Sequence, residues 1–316
     1  MWQYIVTFCI SCMFASLANN FRRKRRNIGF IFFSVLAILC GSALAGVRAS
    51  TVGTDVMTYG NYIFRLAESS DSPVNLFVKQ GSIIEPLYLL LNFVVSRFTR
   101  DVHWMYFILQ FISLSLAYVA IARNKDNDNI SLSLMVYYLT FYAFSLNGLR
   151  QSVAMSLLLF AYQYIYEDNF RKFILVILIA AGFHYSAILF LALYFINQYI
   201  SKSDNKKLTD AVIVLGFIAS IFFSQTIIRL FMIFVPKYER YITNARMAFS
   251  LNPFLVRIPL ILIMIIFYKQ YQKKDSRFDF WLVLLVGDAI FIELRSIMPA
   301  LSRLSFYLAI LNENID

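Results

Sequence analysis

Apolar stretches of roughly 15 to 20 residues alternate along the chain with short charged clusters. A helix needs about 20 residues to cross a ~30 Å hydrocarbon layer, and the polar–apolar alternation of a β-barrel span is missing from these stretches. The pattern predicts an all-α, polytopic transmembrane helix bundle of about 10–11 spans. Crossings are expected near 1–17, 28–47, 102–121, 131–146, 149–166, 170–183, 185–200, 208–223, 254–268 and 278–291. Arg22, Arg23, Lys24, Arg25 and Arg26 set the orientation, because basic loops stay on the cytoplasmic side. These charges follow the first apolar stretch instead of preceding it, so 1–17 reads as a retained span with its N-terminus outside, not as a signal peptide. The second span then delivers 48–82 as the first large outer loop, where interfacial helices are expected.

The stretch 83–98 opens with Glu85 and Pro86 and is followed by Arg100 and Asp101. It either crosses the membrane or lies along its surface. If it lies flat, the inner clusters at 22–26, 123–125, 171–172, 202–207 and 269–277 hold 16 of the 29 basic residues; if it crosses and 173–199 forms one long span, they hold 15. Counting does not separate the two. The flat reading is preferred because it places Lys125 and Lys172 inside and gathers Arg48, Arg150, His184 and Arg295 on one side.

Composition agrees with the membrane reading. At 316 residues and 60% hydrophobic side chains, the chain carries more apolar surface than one water-soluble core would bury. A net charge of +11 would suggest nucleic acid in a soluble protein. Here the excess is topology signal and attraction to anionic membrane lipid, and no nucleic-acid partner is expected. Cys9 and Cys12 form a C-x-x-C inside an apolar run without polar company, so they read as packing residues, and no disulfide is implied. No repeat or linker divides the chain, so 1–316 reads as a single integral membrane domain. Beyond Arg303 only 304–311 is apolar, too few residues to span, and the expectation is a C-terminal helix cut short.

Ionisable groups at membrane depth cost ~2.5 to 3.5 kcal/mol on insertion scales, which makes each a candidate for function. Asp55, Tyr59 and Tyr62 fall at i, i+4 and i+7, on one face of a helix that Thr54 or Asp55 would cap. A carboxylate beside two rings suits a sugar acceptor, with rings to stack on and a base for a hydroxyl proton. An interfacial N-cap with a tyrosine belt fits the same spacing. Asn147, Arg150 and Gln151 share a face at i, i+3 and i+4. Arg150 there is either a snorkelling anchor or, beside a helix N-terminus, a phosphate ligand. His184, within Gly182-Phe183-His184-Tyr185-Ser186, interrupts an apolar run. It is either a hydrogen-bonded core residue or a donor to a leaving phosphate, since histidine titrates near neutrality. His103 is the only other histidine, and no Cys or carboxylate set completes a zinc site, so no metal is expected. Arg257, Arg295 and Arg303, with Asp288 and Glu293, either pair with each other or serve substrate. No P-loop, G-x-S-x-G or H-E-x-x-H occurs, and no cofactor is expected.

Arg48 with Gly53-Thr54-Asp55 and Tyr59, then Leu149-Arg150-Gln151-Ser152-Val153-Ala154, then Phe183-His184-Tyr185-Ser186-Ala187, occur in this order between hydrophobic spans. Together they resemble the EpsG family of Wzy-like polysaccharide polymerases over roughly 41–307. The resemblance implies a metal-independent glycosyltransferase of the bacterial inner (plasma) membrane. It would polymerise undecaprenyl-pyrophosphate-linked oligosaccharide, as donor and acceptor, into O antigen, capsule or exopolysaccharide at the periplasmic or extracellular face, alongside a chain-length regulator protein. On that reading Asp55, with Glu85 as substitute, takes the acceptor proton. Arg150, His184 and one or more of Arg48, Arg257, Arg295 and Arg303 then stabilise the departing pyrophosphate, and Tyr59 and Tyr62 stack sugars beside Asn147 and Gln151. Two rival classes carry intramembrane charges as well. A lipid-linked oligosaccharide flippase or transporter would show a repeat and Gly/Pro-broken helix pairs, which are not found. A membrane acyltransferase centred on His184 would not depend on Asp55.

Overall fold

The computed structural model describes residues 2–53, 55–80, 84–124, 129–202, 258–274, 278–293 and 302–312, and among them there is no β-strand. Met1–Leu191 and Ala192–Ile315 form two compact units. Among the described residues, four helices are long and apolar enough to cross a membrane: α1 (Trp2–Arg23), α2 (Asn27–Gly46), α6 (His103–Arg123) and α7 (Ile130–Asn147). All four belong to the first unit.

These four helices pack through small residues and hydroxyl groups. On α2, Ala37, Gly41 and Ala45 recur every four residues, which lets neighbouring backbones approach closely. Leu114 and Phe107 of α6 rest against Gly41 and Gly46 respectively, so α6 runs antiparallel to α2. Ser11 of α1 hydrogen-bonds the Tyr138 hydroxyl at 2.8 Å and Ser131 donates to the Cys12 carbonyl at 2.7 Å, so α7 runs antiparallel to α1. Stacking of Phe8 on Tyr138, with ring centroids 4.4 Å apart, fixes that register.

The order of contacts gives the unit two distinct ends. At one end Arg22 donates to the Ala122 carbonyl, Arg123 lies over the Phe160 ring and Lys172 over the Tyr164 ring. Here the basic residues of 22–26, 123 and 172 gather. At the other end lie the C-terminus of α2, the N-terminus of α6 and the start of α8 (Leu149–Ala161, extended by a short helix Gln163–Tyr166). α8 is buried on nearly every side and forms the centre of the unit.

Three helices of the loop between α2 and α6 cover that second end: α3 (Tyr62–Glu68), preceded by a π-helical turn at Val56–Asn61, α4 (Pro73–Gln80) and α5 (Pro86–Phe98). α5 starts where Pro86 occupies the first turn, a position that needs no amide donor. Its 13 residues rise about 20 Å, short of the ~30 Å hydrocarbon layer. α9 (Phe170–Phe183) stops at His184, whose backbone is extended (φ −155°, ψ 114°), and a 3₁₀ turn at Tyr185–Leu191 follows. The apolar run from 173 to 199 is therefore broken at the histidine and is not one continuous helix.

The second unit contains α10 (Ala192–Lys202), α11 (Ile258–Ile266), α12 (Tyr268–Lys274), α13 (Phe278–Glu293) and α14 (Ser302–Asn312). α13 and α14 pair through a hydrogen bond from Ser305 to Asp288 and close contact of Leu308 with Gly287. Asp279 accepts from Tyr268 at 2.7 Å and from Gln272 at 3.1 Å. The span expected near 208–223, Thr54, Arg257 and Arg295 lie outside the described residues.

Candidate active site

Glu85 is the hub of the second end. The residue immediately precedes α5 and its side chain is only 3% exposed. Oε2 accepts a hydrogen bond from Nη1 of Arg150, the second residue of α8. Oε1 pairs with Nδ1 of His184 at 2.8 Å and also accepts the Tyr185 backbone N–H at 3.3 Å. Gly182 makes this approach possible, since a Cβ there would lie 2.6 Å from the Leu87 side chain on α5. Burial alone would raise the Glu85 pKa. The His184 hydrogen bond and the Arg150 charge outweigh it, so the carboxyl titrates below its ordinary value. An ionised carboxylate at Nδ1 favours a ring proton on that nitrogen and turns Nε2 away from Glu85.

Aromatic rings line the cations. The Arg150 guanidinium lies 4.1 Å above the Tyr59 ring and 5.9 Å from the Tyr88 ring, and the Tyr88 hydroxyl donates to the Tyr59 carbonyl at 2.7 Å. Arg48 lies 4.5 Å above the Tyr106 ring, whose hydroxyl donates to Asn61. It is only 6% exposed, and its Nε and Nη2 have no hydrogen-bond partner among the described residues. Burial pulls its pKa below the usual arginine value. A buried guanidinium with open donors is set up to receive an anion.

The family comparison settles what kind of protein carries this cluster. The model of the EpsG family matches residues 30–313. The chain belongs to the EpsG family. No curated protein and no solved structure matches it. Membership gives a polysaccharide-polymerase-like, glycosyltransferase-like function in a multi-pass membrane protein.

In this EpsG-family chain, Arg150, His184 and Tyr59, from three separate sequence clusters, meet around Glu85, a residue expected as a substitute base and a substrate contact. Asp55 is placed differently from the expectation. Its side chain makes no capping hydrogen bond, and its backbone N–H donates to Asn147 Oδ1 at 3.1 Å. Gly53 allows that contact: its φ is +104°, and a Cβ there would lie 2.7 Å from the Leu146 carbonyl. The π-helical turn at 56–61 shifts the register of the residues after it, so Tyr62, at i+7, leaves the face expected to hold Asp55, Tyr59 and Tyr62. Tyr59 goes under Arg150, whereas Tyr62 is 57% exposed. The expected face of Asn147, Arg150 and Gln151 is split by Gly148 (φ −80°, ψ 62°), which ends α7 and precedes α8. Asn147 serves Asp55, Arg150 serves Glu85, and Gln151 is buried. Arg303 is exposed on α14 of the second unit.

Tyr88, Tyr106 and Asn61 are parts of the site that sequence patterning did not single out. Tyr88 follows Glu85 by three residues, one helical turn, and that spacing was the available signal. Among the described residues, no three His, Cys, Asp or Glu side chains gather closely enough to hold a metal ion.

Proposed function

We propose that this chain joins oligosaccharide repeat units carried on undecaprenyl pyrophosphate into a surface polysaccharide, at the outer face of the bacterial inner membrane. The observation that carries the reading is the convergence of Arg150 and His184 on one buried carboxylate, Glu85, beside tyrosine rings. A carboxylate behind Nδ1 holds the imidazole in one tautomer and stabilises the cation formed when Nε2 takes a proton. His184 thus accepts the proton of the acceptor hydroxyl. The acceptor oxygen then forms its bond to the anomeric carbon as the bond from that carbon to the pyrophosphate oxygen breaks.

Charge that develops on the leaving pyrophosphate is met by Arg150 and Arg48, fixed donors in a partly dehydrated setting. Glu85 is a positioning residue, because its own lone pairs are taken by Arg150, His184 and the Tyr185 amide. Asp55, held by Asn147, orients acceptor hydroxyls, and Tyr59 offers a stacking face. This moves the base role from Asp55, where the resemblance had placed it, to His184.

The reading is tested in cells lacking the native gene, by gel analysis of surface polysaccharide after complementation. His184→Ala and Arg150→Ala are expected to reduce long chains by about 10²-fold or more and to leave single repeat units on the surface. Asp55→Asn is expected to shorten chains without abolishing them. Full ladders from either His184→Ala or Arg150→Ala would exclude the mechanism, and loss of single units as well would favour an exporter.

A further inference from the structure

A second polar site lies at the far end of α5. The C-terminal ends of α3 and α5 border an open cleft of about 670 Å³ lined by Arg65, Arg97 and Arg100 and by one acidic residue, Glu68. Arg97 has a structural task. Its Nη2 donates to the Ala67 and Glu68 carbonyls at 2.7 and 2.9 Å, capping the last turn of α3. Arg100 meets Glu68 at 3.5 Å but is 92% exposed, so the pair is weak. Arg65 is exposed as well. The neighbouring acid Asp101 is engaged by His103 at 2.6 Å. The cleft keeps a surplus of positive charge, and the hydroxyl-bearing Ser69 and Thr99 add polar lining.

An apolar track runs into this cleft. Leu90, Val94 and Phe98 recur every four residues on α5 and all are exposed, Phe98 at 86%, and Phe98 is itself part of the cleft wall. An exposed apolar stripe on a helix too short to span is the face of a helix lying in the interface, with its stripe towards the acyl chains. A cationic cleft continuous with such a stripe matches an amphiphile that has an anionic head and a hydrocarbon tail. A soluble anion would use the cleft alone.

We infer that the Arg65–Arg97–Arg100 cleft is a binding site for an anionic phospholipid, with the phosphodiester among the arginines and an acyl chain along Leu90, Val94 and Phe98. The Glu85 cluster lies at the opposite end of the same helix, about 18 Å away along 12 residues. Occupation of the cleft would anchor α5 by its C-terminus.

The test uses the full chain, purified and delipidated in a neutral detergent, with bound lipid counted by native mass spectrometry. Phosphatidylglycerol is expected to bind, and Arg65→Gln and Arg100→Gln, both at exposed positions, to weaken it about 5-fold each. Val94→Ser is expected to weaken phosphatidylglycerol but leave soluble glycerol 3-phosphate unaffected. Three results would overturn the inference. The first is equal binding by phosphatidylcholine or by the double arginine variant. The second is binding of glycerol 3-phosphate as tight as that of the lipid, which would make this a free-phosphate site. The third is displacement of the lipid by an acidic oligosaccharide from the wild type alone, which would reassign the cleft to glycan.

Discussion

The α1–α2–α6–α7 bundle and the Glu85 cluster both bury polar side chains, but they satisfy them in different ways. In the bundle the groups are neutral hydroxyls, and most donate to carbonyls that already serve a helix: Ser11 to Ala37 at 2.7 Å, Ser131 to Cys12 at 2.7 Å, Tyr142 to Gly41 at 2.6 Å. Around Glu85 the partners are a guanidinium and an imidazole at helix ends, and Glu85 and Arg150 balance each other's charge. Removing a hydroxyl leaves the carbonyl with its helical N–H. Removing Glu85 leaves the part-buried Arg150 guanidinium with no carboxylate partner among the described residues. Neutral hydrogen bonds hold helices together at little risk, whereas the charged cluster is costly to disturb, which is a sign that it is kept for chemistry.

The largest expected effect tests that difference directly. Glu85→Ala should abolish polymer formation and destabilise the first unit by about 3–5 kcal/mol, the usual cost of orphaning a buried ion pair; Glu85→Gln, which keeps acceptor oxygen but no charge, should fall between. Because the folded-state pKa of Glu85 lies below its unfolded value, its contribution is present in full above the ordinary carboxylate pKa of about 4.3. That contribution is lost as pH falls through the lower, folded pKa. Thermal unfolding in detergent should therefore show an acid-side decline in the wild type that Glu85→Gln lacks. Parallel profiles for the two proteins would mean that the carboxylate is not ionised in the cluster.

How much of each region could be read from sequence divides along the same line. The bundle helices were legible because a 20-residue apolar run has few alternatives in a membrane chain: the expected 28–47 and 102–121 match α2 and α6 to within two residues at each end. The members of the site were partly legible too, since an arginine in Asn147-Gly148-Leu149-Arg150 and a histidine inside an apolar run are conspicuous. Their partnership was not. Glu85 is 65 residues from Arg150 and 99 from His184, and no local periodicity encodes such distances. The π-helical turn at 56–61 also defeated the α-helical spacing argument that grouped Asp55, Tyr59 and Tyr62. Residues at helix breaks, such as Gly148 and His184, can turn towards distant partners because the breaks release them from a helix face.

A smaller effect is expected inside the bundle when bulk is added. A Cβ at Gly41 would lie 2.6 Å from the Tyr138 hydroxyl and 2.7 Å from Leu114 Cδ1, so Gly41→Val must push α2 away from α6 and α7. Overpacking of this kind costs about 1–3 kcal/mol. The measured result should be a lower unfolding temperature with polymer length preserved, since no charged partner is lost. A loss of polymerisation without a loss of stability would show that the bundle sets the geometry of the cluster more tightly than a scaffold does.

The smallest expected effect is the most informative about the comparison. Tyr142→Phe removes the 2.6 Å hydrogen bond to the Gly41 carbonyl and nothing else of size. That carbonyl lies within α2, four residues before Ala45, so it keeps its intrahelical N–H donor. The ring also stays packed at the T-shaped contacts with Phe8 and Tyr138, 5.0 and 5.5 Å between centroids. Interhelical hydrogen bonds in membrane proteins average about 0.6 kcal/mol, because an unfolded helix in lipid also finds partners for its polar groups. Tyr142→Phe should therefore cost about that much in a reversible unfolding titration. A cost near that of Glu85→Ala would mean that the Tyr142 hydroxyl stabilises something besides a carbonyl already satisfied.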